Sequence, residues 1–97
     1  MKLILENTNK SLLKSFSQIS INDFEELKLE LMRFGNKSEA TIFVDNSHLN
    51  YDELKKIKYI LEEANIKLKP IYSSSRETIL SAKAIKIDAI FDKFKYD

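Results

Sequence analysis

Apolar and polar residues change period several times along the chain, and each change predicts an element. Residues 2–6 alternate, with Leu3 and Leu5 on one side, which predicts a short strand. Asn7-Thr8-Asn9-Lys10 is a polar turn cluster. Residues 12–19 again have strand length, with Leu12 and Phe16 as the main apolar positions and Leu13 and Ile19 as less regular ones. The two segments predict an opening hairpin. The period then becomes helical: Phe24, Leu27, Leu31 and Phe34 form one apolar stripe. Asn22, with Glu25 three residues on, predicts the cap that starts this helix, and Gly35 predicts its left-handed close. Ala40-Thr41-Ile42-Phe43-Val44 is a continuous apolar run and predicts a central strand buried on both faces.

The second half repeats the alternation of helix and strand. Asn50 and Glu53 predict a capping box ahead of a stripe of Leu54, Ile57, Leu61 and Ala64, with Ile60 beside it. Residues 66–72 form the next strand. Pro70 within them has no amide to donate, so that strand lies at an edge or ends there. Ser74 and Glu77 predict a third capping box, leading into a helix over 78–84. Residues 85–91 alternate like a strand and also suit a longer helix. The order ββαβαβα predicts an α/β fold. Its mixed sheet has four to five strands, an opening hairpin followed by βαβαβ crossovers, and is covered by two to three helices. The 97 residues leave room for one domain, here residues 1–97.

Composition narrows the function more by exclusion than by suggestion. Sixteen basic residues meet fifteen acidic ones with the signs interspersed, which does not favour a nucleic-acid binder. The absence of cysteine removes disulfides, thiol chemistry and thiolate metal sites, and it suits a cytoplasmic setting. A single glycine rules out a glycine-rich phosphate loop. The start, Met1-Lys2-Leu3-Ile4-Leu5-Glu6, reaches a charge too soon for a secretory segment, and no apolar run is long enough for membrane insertion.

Few side chains are candidates for chemistry. His48 is the lone histidine, and nothing in the sequence builds a metal site or a pH switch around it. Asp45, Asp52 and Glu53 have the composition of a magnesium cluster, but two of them sit in the first turn of a helix, where its dipole already favours acids. Ser73-Ser74-Ser75-Arg76 would suit an anion, and the same serines suit capping. No enzyme activity and no cofactor are expected. On the first helix, Leu29 and Met32 fall outside the core stripe with Arg33 beside them. Leucine, methionine and arginine together make a candidate partner-binding patch; methionine and arginine in particular are enriched at interfaces.

Three stretches carry a family resemblance that spans most of the chain. They are Asn22-Asp23-Phe24-Glu25-Glu26-Leu27; the strand at residues 41–44 followed by Tyr51-Asp52-Glu53-Leu54-Lys55-Lys56-Ile57; and Ile71-Tyr72-Ser73-Ser74-Ser75-Arg76-Glu77-Thr78 with Ala82, Ala84, Ile85 and Ile87. Together they resemble the N-terminal domain of the septum-site-determining MinC family. The chain departs from the family at Lys86, where a glycine usually closes the last helix. The resemblance implies a non-enzymatic cell-division inhibitor that binds the tubulin-like protein FtsZ. It implies contact with the ATPase MinD only through a C-terminal β-helix domain, expected to be absent here, so that the chain is an excised domain or a stand-alone relative. Residue roles do not transfer with the resemblance, and Leu29, Met32 and Arg33 rest on helix geometry alone. The alternative is an anti-sigma-antagonist-like (STAS) interaction domain, which has a similar element order. Its phosphorylated members have a serine where this chain begins its helix with Asn50-Tyr51-Asp52.

Overall fold

The alternation at the start of the chain closes into a hairpin. β1 (Lys2–Glu6) and β2 (Ser11–Ser15) pair antiparallel, with Lys2 opposite Ser15 and Glu6 opposite Ser11. Asn7 shapes the turn, its Oδ1 accepting from the amides of Asn9 and Lys10 at 2.9 and 3.0 Å. The computed structural model describes residues 1–16, 21–34, 37–44 and 49–92, without the side chains of residues 21 and 22. Gly35, Asp45 and His48 therefore lie outside the described residues, as does the Asn22 side chain. Helix α1 (Ile21–Phe34) begins one residue before Asn22, which thus stands inside the first turn and not ahead of it.

Among the described residues the remaining elements are β3 (Glu39–Val44), α2 (Tyr51–Glu63), β4 (Lys67–Leu68), β5 (Ile71–Ser73), α3 (Arg76–Ala84) and β6 (Ala89–Phe91). The sheet order is β2-β1-β3-β5-β6, and β4 also pairs with β3. β1 is antiparallel to both its neighbours, and the later pairs are parallel, so the sheet is mixed. It has six strands and not four to five, for a physical reason. Pro70 lacks the amide needed for a continuous ladder, so the predicted strand ends at Leu68 and resumes at Ile71. Both pieces pair with β3, and β5 lies inside the sheet with β6 beyond it.

One face of this sheet is covered. Leu3 and Leu5 of β1 are buried with Ala40, Ile42 and Val44 of β3 and Ile71 of β5. They share one core with Phe24, Leu27 and Leu31 of α1 and Leu54, Ile57 and Leu61 of α2. Each such leucine or isoleucine contributes about 1.5–3 kcal/mol on full burial. The expectation that β3 is buried on both faces is corrected: Thr41 and Phe43 are only half-buried, alternating with the three buried residues. Among the described residues the domain is thus a helical layer on one side of a sheet whose other side no helix covers.

Both later helices end in the same way. In α2 the amide of Asn65 donates to the Glu62 carbonyl and that of Ile66 to the Leu61 carbonyl. In α3 the amide of Lys86 donates to the Lys83 carbonyl and that of Ile87 to the Ala82 carbonyl. This is the Schellman pattern, and it requires a left-handed residue at the turn. Asn65 and Lys86 take that role, with φ of 57° and 62°. The following isoleucine, Ile66 or Ile87, is buried in each case.

Candidate functional site

Three surfaces stand apart from the core. The first is the outer side of α1. Leu29 is 56% exposed and Met32 66%, and Arg33 is exposed one residue further. Positions 29, 32 and 33 are three and four residues apart and so lie together on one helix face. Phe24, Leu27, Leu31 and Phe34 hold the opposite face in the core, and Lys14 of β2 ties the helix to the sheet through Glu30 at 2.9 Å.

The second surface is the open side of the sheet, which the sequence reading missed. Leu13, Ile4 and Thr41 lie side by side across β2, β1 and β3. Phe43, Tyr72 and Ile90 continue across β3, β5 and β6, with Lys2 beside Phe43. The rings of Phe43 and Tyr72 stack at 5.0 Å and 14°. Leu13 is 59% exposed and Ile90 44%. Such an apolar sheet face, bordered by Glu6, Glu39 and Lys67, is unusual on a lone small domain. The signal was available in part: residues 2, 4 and 6 form the second set of a strand that the sequence shows as alternating, whereas residues 41 and 43 are hidden in a run that predicts burial on both faces.

The third surface is a groove of about 810 Å³ between the outer side of α2 and the end of α3. Tyr51, Lys55 and Tyr59 rise from α2 one turn apart, and Ala84, Ile85 and Lys86 close the other wall. Lys58 bridges the walls, donating to the Ile85 carbonyl at 2.8 Å and lying 3.9 Å from the Glu62 carboxylate. The Lys55 ammonium lies 5.6 Å from the centre of the Tyr51 ring. Glu63 accepts from the Tyr59 hydroxyl, and that bond and its negative charge hold the phenol above its ordinary pKa.

The candidates for helix caps take the following places among the described residues. Asn50 forms a full capping box: its side chain accepts from the Glu53 amide at 2.9 Å, and the Glu53 carboxylate accepts from the Asn50 amide at 3.1 Å. Glu53 is thereby engaged, while Asp52 is exposed. Among the described residues no three acids or histidines gather where a metal ion would be held. The serine turn shifts by one residue. Ser75, and not Ser74, is the N-cap of α3; its Oγ accepts from the Thr78 amide at 3.2 Å. The Ser75 amide in turn donates to the buried Ser73 Oγ at 3.0 Å. With Ser75 as cap, the third helical residue is Thr78, whose Oγ1 accepts from the Leu49 amide at 3.1 Å and pins the entry to α2. No helix among the described residues is long and apolar enough to cross a membrane.

No family model matches the chain, and no solved structure matches it. A probable septum site-determining protein MinC from Prochlorococcus marinus subsp. pastoris is 40% identical to it over 99 residues. The chain is a homologue of MinC. The match covers 98% of this chain but 43% of the MinC relative, so the chain spans less than half of that protein's length. The mixed sheet with its helical layer is consistent with an N-terminal MinC domain.

Proposed function

We propose that the domain is a non-enzymatic regulator of cell division that acts in the cytoplasm by binding FtsZ and opposing its assembly into polymers. The observation that carries this reading is the 40% identity, along nearly the whole chain, to a septum site-determining protein. It favours the MinC reading over the STAS-like one. MinD contact belongs, by the family resemblance, to a β-helix domain and not to these residues. The proposed contact is the α1 patch of Leu29, Met32 and Arg33. Its apolar side chains are exposed without being needed by the core, and an exposed arginine beside them is the composition of an interface anchor.

The test is FtsZ sedimentation with and without the purified domain in excess. The wild-type domain is expected to reduce the pelleted fraction. The Leu29→Glu, Arg33→Glu double variant is expected to keep its unfolding midpoint and lose the effect. Full inhibition by that folded variant would remove the patch, and no inhibition by the wild type would remove the FtsZ reading. The open sheet face supports a second location for the contact, because it exposes Leu13 and Ile90 beside the Phe43–Tyr72 stack. A Leu13→Glu, Ile90→Glu variant that loses inhibition, while the α1 variant keeps it, would place the contact there.

A further inference from the structure

We infer that β2 is an interface between copies of this chain: two domains pair edge to edge through Ser11–Ser15, antiparallel, about a twofold axis at Leu13. β2 ends the sheet, and among the described residues no strand lies beyond it. Its pairing with β1 fixes which main-chain groups are spare. Met1 and Phe16 exchange both of their bonds, each at 2.8 Å. Bonded and unbonded pairs alternate along an antiparallel ladder, so Leu3 with Lys14 and Leu5 with Leu12 are the next bonded pairs. The amides and carbonyls of Ser11, Leu13 and Ser15 therefore point away from the sheet. Such an edge is ordinarily guarded by a lysine, a proline or a bulge. β2 has no proline, and its register with β1 runs without a bulge. The two lysines beside the edge are drawn towards α1: the Lys10 ammonium lies 5.0 Å from the centre of the Phe34 ring, and that of Lys14 lies 2.9 Å from Glu30.

The sequence of β2 selects a second copy as the occupant, because it is complementary to itself. With the axis at Leu13, Ser11 faces the partner's Ser15 and Leu13 faces the partner's Leu13. The spare groups of the two copies then meet in three residue pairs, each exchanging two bonds. The neighbouring registers pair fewer of these groups and oppose like charges. An axis at Leu12 sets Lys14 against the partner's Lys10, and an axis at Lys14 sets it against the partner's Lys14. With the axis at Leu13, Lys14 faces the partner's Leu12 instead. On the open side of the sheet, Ile4 and Leu13 continue into the partner's Leu13 and the partner's Ile4 as one apolar row, which covers a leucine that is 59% exposed in the single domain. The row beside it runs from Lys2 and Ser15 to the partner's Ser11 and the partner's Glu6, with opposite charges at its ends. The other sheet edge, β6, lacks this match: two copies paired about Ile90 would set Asp88 against the partner's Asp92. The inference stands without the FtsZ reading.

Sedimentation equilibrium of the 97-residue chain reads the association. The average mass is expected to rise towards twice the monomer value between about 0.01 and 1 mM, as suits a small interface. Leu13→Lys opposes two ammonium groups across the axis and is expected to weaken the dimer about tenfold or more. Ser11→Lys, Ser15→Glu puts each new lysine opposite the partner's new glutamate and is expected to tighten it about threefold or more. Within one copy those new charges face Glu6 and Lys2, so the hairpin is kept. The chain has no cysteine, so single introduced cysteines report the register without background. Leu13→Cys is expected to cross-link to itself on oxidation, since opposed Cα atoms of a bonded pair lie about 5.5 Å apart. Ser11→Cys should not, its counterpart lying about 13 Å away along the strand, but it should cross-link to Ser15→Cys when the two variants are mixed. Circular dichroism checks each fold, and the cysteine variants carry the test if Leu13→Lys does not fold. Three results would each overturn the inference. One is a wild-type chain that stays monomeric at about 1 mM. Another is self-cross-linking of Ser11→Cys as complete as that of Leu13→Cys. The third is a dimer kept by folded Leu13→Lys and lost in Ile90→Glu, which would assign the contact to the open face and not to the edge.

Discussion

Replacing Lys86 by glycine should make the domain more stable, although it removes a charged side chain and adds chain flexibility. Lys86 sits at φ 62° in the turn that ends α3, where its Cβ crowds the backbone. That conformation costs an ordinary residue about 1–2 kcal/mol. Glycine relieves the crowding but has more freedom to lose on folding, at about 0.5–1 kcal/mol relative to alanine. Taking the middle of each range, the net gain is about 0.5–1 kcal/mol. The hydrogen bonds of the turn use only main-chain groups, from the amides of Lys86 and Ile87 to the carbonyls of Lys83 and Ala82, so they survive the change. The Lys86 side chain is exposed, so little packing is lost. Urea denaturation reads the effect as a rise in midpoint of about 0.3–1 M at an unchanged slope, taking a slope of about 1–2 kcal/mol/M for a small domain. Lys86→Ala, which keeps the Cβ, should show no such gain. Asn65→Gly in the matching turn of α2 should show a smaller one, because asparagine tolerates the left-handed region. A midpoint that is unchanged or lower in Lys86→Gly, with Lys86→Ala equal to it, would refute the reasoning.

Other expectations follow from single contacts. Ser75→Ala should lower stability by about 0.5–2 kcal/mol through loss of the α3 cap, while Ser74→Ala should leave the denaturation midpoint within about 0.5 kcal/mol of wild type. Thr78→Val keeps the volume of a fully buried side chain but leaves the Leu49 amide without its acceptor. It should cost about 1–3 kcal/mol, and a melt that is unchanged would show that the amide finds another partner.

The parts of this fold that follow local rules were legible in the chain, and the parts set by tertiary contact were not. The α1 stripe and the Asn50 box are repeats of fixed spacing, and both stand where the spacing puts them. The third cap was misplaced because three consecutive serines offer three starting points. Glu77 suggested one of them, whereas the buried bond from Leu49 to Thr78 favours the next. Double burial of β3 was inferred from an unbroken apolar run. Phe43 belongs to that run chemically, yet it lies on the side that none of the described helices reaches. The patch at Leu29 and Met32 could be found from helix angles alone. The groove could be found only by half: Tyr51, Lys55 and Tyr59 are one turn apart, but Lys86 joins them through the packing of α3 on α2 and a backbone conformation that lysine does not advertise.

The one-sided sheet also bears on how such a domain can change over generations. Along β1 and β3, residues 3, 5, 40, 42 and 44 decide whether the chain folds, and residues 2, 4, 41 and 43, interleaved with them, decide what the sheet displays. A substitution in the second set disturbs no fully buried side chain, although Phe43 would lose its stack on Tyr72, so the energetic barrier to trying it is lower than in the first set. Two kinds of selection can therefore act on adjacent letters of the same strand with little interference. A lineage could exchange the chemistry of its open face while the buried alternates stayed the same.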